Sequence, residues 1–130
     1  MLIKFFRNGK GVGAGPVGYL VADNVLAYDD NRDLIRDADG QPMTVTREPL
    51  PEVLRGNPDR TEALIDANCH QWTYRTGVIS FAAEDGPTEE QQAEVMDHFE
   101  HLAFAGLEPE QYAVLWVRQT HDDRIDLHFF

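Results

Sequence analysis

The amino-acid sequence predicts an α+β fold, a mainly antiparallel sheet with helices packed on one face. Three observations predict it. The closing residues, Arg124-Ile125-Asp126-Leu127-His128-Phe129-Phe130, alternate polar and apolar with the period of a half-buried strand. Thr88-Glu89-Glu90-Gln91 is a capping box, and behind it Gln92, Val95, Met96, Phe99, Leu102 and Ala103 recur at helical spacing. The elements follow one another as strand, helix, insertion, helix, strand, helix, strand, strand, which suits an antiparallel sheet.

Each element has its own local reason. Leu2 to Phe6 is a short apolar run and reads as a strand. The glycine-rich loop Asn8-Gly9-Lys10-Gly11-Val12-Gly13-Ala14-Gly15 follows. Pro16 then fits the first turn of a helix carrying Val17 to Asp23, with Tyr19 early in it. Residues 24–56 hold Asp29-Asp30-Asn31, Asp39-Gly40, Pro49 and Pro51, and read as a loop-rich insertion with one hairpin. Asn57-Pro58 starts a helix that runs to about Cys69, Asn as cap and Pro in the first position. Gly77 to Ala83 reads as a strand. The helix opened by Thr88 closes at Gly106. Tyr112 to Arg118 is a strongly apolar strand, Thr120 to Asp123 turns, and the last strand ends the sequence.

With 130 residues, the chain is expected to form a single domain, residues 1–130, with a core of its own. No apolar run reaches transmembrane length, and Met1-Leu2-Ile3-Lys4 does not begin a signal peptide. A cytoplasmic protein with no membrane partner is the expectation. The single cysteine, Cys69, excludes an internal disulfide and reads as a buried or bystander thiol.

The net charge of -12 is unevenly spread. Residues 1–22 carry Lys4, Arg7 and Lys10 and no acid, whereas all 23 acids lie from Asp23 onward. No Lys or Arg falls between Arg75 and Arg118, a stretch that holds Glu84, Asp85, Glu89, Glu90, Glu94, Asp97, Glu100, Glu108 and Glu110. Such a field repels a phosphate backbone over most of the surface, so a nucleic acid would have to use the basic first strand and loop.

Several residues carry potential chemistry. The glycine loop lets backbone N–H groups approach an anion at a helix start, although it lacks the Gly-Lys-Ser/Thr of a Walker loop and a full dinucleotide fingerprint. Its plainer reading is a connector. Tyr19 is either an ordinary aromatic or a nucleophile for a phosphodiester, which needs a metal or base nearby because a free phenol ionises near pH ~10. Asp126 and His128 lie two positions apart on one strand face and can share a divalent metal, with His121 a short turn earlier. A solvated pair is the plainer reading. His98 and His101 have metal-binding spacing on the acidic helix. Trp72, Tyr74 and Trp116 read as core.

Together these pieces resemble the N-terminal part of the plasmid mobilisation relaxases, tyrosine DNA nickases of the HUH class, and more narrowly their small-plasmid branch. The resemblance runs through Leu2-Ile3-Lys4-Phe5-Phe6, Gly13-Ala14-Gly15-Pro16-Val17-Gly18-Tyr19-Leu20, Val53-Leu54-Arg55-Gly56-Asn57-Pro58, Gly77-Val78-Ile79-Ser80-Phe81, Leu115-Trp116-Val117 and Arg124-Ile125-Asp126-Leu127-His128-Phe129. It implies that Tyr19 attacks a scissile phosphate of single-stranded DNA at a transfer origin and keeps the 5′ end. It further implies Mg²⁺ or Mn²⁺ at Asp126 and His128, with His121 as the candidate to replace the family's histidine as third ligand, and DNA phosphates on Lys4, Arg7 and Lys10. By register from Trp116, a histidine of the family falls on Gln119, and Asp126 replaces its usual Glu. Family chains continue past the closing strand.

These departures, with the acidic surface, define a second reading. A relaxase descendant that no longer cuts would act as an acidic decoy of a host nucleic-acid-binding complex, as anti-CRISPR proteins do, through helix 88–103 and the insertion 24–56.

Overall fold

A computed structural model of the chain describes residues 1–130. Five strands form the main sheet in the order β1 (Leu2–Phe5), β5 (Gly77–Phe81), β7 (Arg124–Phe129), β6 (Trp116–His121), β4 (Glu52–Arg55). Every pairing is antiparallel. A separate two-stranded sheet joins β2 (Asn24–Leu26) to β3 (Thr44–Thr46). The helices are α1 (Ala14–Val21), α2 (Pro58–Ala67) and α3 (Glu89–Ala103). The α+β class is as the sequence predicts.

The helices do not share one face of the sheet. Met96 of α3 packs with Ile79, Phe81, Trp116, Leu127 and Phe129 on one side. Val17 and Leu20 of α1 and Ile65 of α2 pack with Leu115 and Val117 on the other. Successive residues of a strand point to opposite faces, so the run Leu115-Trp116-Val117, fully buried throughout, has to be covered from both sides. The one-face expectation followed the order of the elements, which does not say which side of the sheet each helix covers.

Local signals act where expected. Asn57 Oδ1 accepts from Arg60 N (3.1 Å), and Thr88 and Gln91 make the reciprocal capping box (3.1 and 2.9 Å). Asp122 and Asp123 both take positive φ (49° and 63°), the geometry of a two-residue hairpin turn that joins β6 directly to β7. Helix α1 begins at Ala14 and ends at Val21, not at Asp23.

Other expectations shift. The segment 24–56 supplies β4, an edge strand of the main sheet, besides its hairpin. Residues 112–115 precede β6 rather than opening it, though Leu115 and Phe130 exchange both backbone hydrogen bonds. Leu102 is 78% exposed and lies off the core stripe of α3. Cys69 is exposed rather than buried. Trp116 is core and Tyr74 packs against the α1–α2 cluster, but Trp72 is half exposed, with Lys10 Nζ 4.8 Å from its ring centroid.

The acids of α3 are largely occupied by the fold. Arg118, on β6, binds Glu52 of β4 (2.6 Å) and Glu89 of α3 (2.9 Å). Arg55, on β4, binds Asp97 and Glu100 of α3, each at 2.7 Å. Trp116 Nε1 donates to the other oxygen of Glu100 (3.3 Å). These acids tie helix to sheet, which argues against α3 as a free decoy surface. No helix is long and apolar enough to cross a membrane.

Candidate functional site

The site is built where the end of α1 crosses the face of β6 and β7. Two backbone rows cross the sheet there. Ser80, Asp126 and Gln119 lie directly opposite one another on β5, β7 and β6, and Val78, His128 and Val117 form the next row. Val117 belongs to the core beneath α1 and α2. Asp126 and His128 therefore face the same side of the sheet as α1.

Helix α1 sits over this face because Val17 and Leu20 bury against Leu115 and Val117. Gln119 fastens its end, donating Nε2 to Leu20 O at 3.0 Å. This leaves Tyr19, one residue before Leu20, on the outer side of the helix. It is 68% exposed. Tyr19, Asp126, Gln119 and His121 line one cavity of about 510 Å³, walled on its other side by Val25, Val45 and Arg47 to Pro49 of the hairpin. Tyr19 and Asp126 thus share a cavity.

Arg47 was not among the residues the sequence singled out. It follows β3, and its backbone N donates to Asp23 O at 2.6 Å, closing the hairpin onto the end of α1. Its Nη1 lies within hydrogen-bond distance of Tyr19 O (2.9 Å), Leu20 O (3.2 Å) and Ala22 O (3.1 Å). Its guanidinium carbon is 4.9 Å from the centroid of the Tyr19 ring. The contact joins residues far apart in sequence, inside a segment that reads as loop.

Asp126 is 15% exposed, and Arg124 Nη2 approaches its Oδ2 at 3.3 Å. Its Oδ1 is buried and has no hydrogen-bond partner. Burial lowers the pKa of His128, opposed by the Asp126 carboxylate and assisted by Arg47, so the imidazole is neutral near pH 7. An orphaned carboxylate oxygen beside a neutral imidazole fits a divalent cation, since a ligand imidazole must be deprotonated. The third expected ligand does not join them. His121 ends β6 with its imidazole 78% exposed and 3.3 Å from Asp122, and no three His, Cys, Asp or Glu side chains converge on one point. His98 is paired with Glu94 on the surface of α3, and His101 is exposed there.

The basic residues divide between places. Lys4 pairs with Val78 across β1 and β5, in the row of His128 and on the site's face. Arg7 and Lys10 lie beyond Phe5, at the Phe129 end of the sheet, away from the cavity. Two glycines of the loop serve packing. A Cβ on Gly9 would stand 1.9 Å from the Tyr74 ring, and one on Gly13 3.1 Å from the backbone of Glu62. Gly13 N is already bonded to Asp66 Oδ1 at 2.8 Å, so an acid occupies the start of α1.

Tyr19 and Asp126 line one cavity, and His128 lies on the same face of the sheet as Asp126. Comparison with known proteins gives two relatives. The chain is 36% identical over 129 residues to cryptic plasmid protein C of Neisseria gonorrhoeae and 35% identical over 129 residues to the DNA relaxase MbeA of Escherichia coli. Both alignments take in 99% of this chain, but 52% of the first relative and 21% of the second. The chain therefore spans about half the length of one and about a fifth of the other. No family model and no solved structure matches it. Over nearly its whole length, the chain is homologous to part of a cryptic plasmid protein and to part of a DNA relaxase.

Proposed function

We propose that this chain is a relaxase-type domain that nicks single-stranded DNA at a transfer origin, with Tyr19 as the nucleophile. The observation that carries the proposal is the single cavity lined by Tyr19 and Asp126. The relaxase relative supports DNA as the partner.

The Tyr19 hydroxyl makes no hydrogen bond within the chain and is open to solvent. Its oxygen attacks the phosphorus, and the bond from phosphorus to the 3′ oxygen breaks. The phenol proton leaves to water, and the departing 3′ oxygen takes one up. The 5′ phosphate remains on the tyrosine, so the free energy of the phosphodiester is kept for rejoining. Asp126 and His128 would hold Mg²⁺ or Mn²⁺, with phosphate and water completing the shell. Such an ion, when bound, polarises the phosphoryl oxygen as a Lewis acid. Gln119 fastens the helix end that carries Tyr19, a structural task distinct from metal ligation.

The test is incubation of the chain with Mn²⁺ and single-stranded DNA carrying a transfer-origin sequence, beside Tyr19→Phe. The expected result is a covalent protein–DNA band with the wild-type chain and none with Tyr19→Phe. A band of equal strength in both would move the nucleophile elsewhere, and no band in either would remove the nicking function.

A further inference from the structure

We propose that Arg47 is a phosphate-binding residue of this site and the positioning residue for Tyr19, a role that rests on the nicking reading for its purpose. The guanidinium divides its donors between two tasks. Nη1 is turned toward the carbonyls of Tyr19, Leu20 and Ala22. The last carbonyls of a helix have no partner within it, and a planar cation satisfies several at once. The guanidinium carbon also lies over the Tyr19 ring, so Arg47 restrains both the backbone and the ring of an otherwise exposed tyrosine.

The second task falls to Nε and Nη2. Neither has a hydrogen-bond partner within the chain, and Arg47 lines the cavity shared by Tyr19 and Asp126. Two parallel N–H groups on one edge of a guanidinium match two non-bridging oxygens of a phosphodiester. The cavity's other charged groups leave this edge free. Asp126 is approached by Arg124, and His121 by Asp122, while Glu48 has no ion-pair partner. A phosphate held by Arg47 would lie close to the Tyr19 ring, whose centroid is 4.9 Å from the guanidinium carbon. The β2–β3 hairpin therefore delivers a substrate contact rather than merely bridging α1 to β4.

The test uses the metal-free chain in EDTA and the dinucleotide thymidylyl-(3′→5′)-thymidine as probe. The Arg47 Nε–Hε NMR signal is assigned by its absence in Arg47→Lys and followed through the titration. We expect this signal to move with the probe and saturate. Arg47→Gln should weaken binding at least tenfold, and Arg47→Lys should retain part of the affinity because it keeps the charge but loses the fork. An unmoved Arg47 signal in the wild-type chain, or full affinity in a folded Arg47→Gln, overturns the assignment. The wild-type titration decides the matter even where a variant fails to fold. A moving signal without a covalent DNA band would sink the nicking reading and leave this site standing. A covalent band with an unmoved signal would do the reverse.

Discussion

Asp126 is placed where stability and chemistry oppose each other. Its buried Oδ1 has no donor, and an unmatched buried polar atom costs roughly 1–3 kcal/mol. Asp126→Asn removes the charge at nearly constant shape, so the metal-free variant should match or exceed the parent in a urea melt, while covalent DNA attachment falls at least tenfold. Loss of stability together with activity would make the residue structural. Its neighbour His128 gives a pH signature. Its folded pKa is lowered by burial below the ordinary value near 6.5. Between the two values the unfolded chain binds more protons, so stability rises with pH. The contribution is therefore complete above about pH 6.5 and declines as pH falls through the window below it. Urea melts in EDTA from pH 7.5 down to 5 should show this decline, and His128→Gln should flatten it. The pair itself was legible in the sequence, because alternation along β7 puts both residues on one face. Arg47 was not, because its importance comes from a contact with residues 19 to 22 that no local pattern announces.

Among the elements, those with capping signals could be read from sequence and those made by pairing could not. Asn57 and Thr88 act within one turn of themselves, and both helices start where these residues predict. Thr88→Ala should cost about 1 kcal/mol in a urea melt, the usual value of an N-cap, since it unmakes the Thr88–Gln91 box. Strand β4 lacked such a signal. Glu52-Val53-Leu54-Arg55 is short and shifts register where it pairs with β6, so its identity depends on a partner sixty-odd residues away. Glu52 and Arg55 are charged because they bind across to Arg118 and α3, which disguises a sheet strand as loop. The glycine loop misled for a related reason. Its composition matches an anion cradle, but Gly9 is small because the Tyr74 ring lies against it. Gly9→Ala should therefore destabilise the chain by roughly 1–3 kcal/mol, as overpacking does, without altering DNA binding in whatever fraction stays folded.

At the scale of the whole molecule, the sheet sets two faces apart. The sheet separates α3, with its acids bound to Arg55 and Arg118, from the side that carries Tyr19, Asp126 and Lys4. A net charge of -12 argues against tight non-specific binding, yet a strand of DNA need not meet the average field. Screening confines the influence of exposed charges to about 8–10 Å at physiological salt. The groups that count are those on the binding face. For single strands, the logarithm of the association constant falls with the logarithm of salt by about 0.7 per phosphate neutralised. Anisotropy titrations of Tyr19→Phe with a labelled oligonucleotide, over a sodium chloride series, read that slope directly. Lys4→Gln, on the site's face, should shallow it by about 0.7, and Glu90→Gln, on α3 behind the sheet, should leave it unchanged. Responses equal in size and opposite in sign would mean that DNA senses net charge alone and that the site's face is not where it lies.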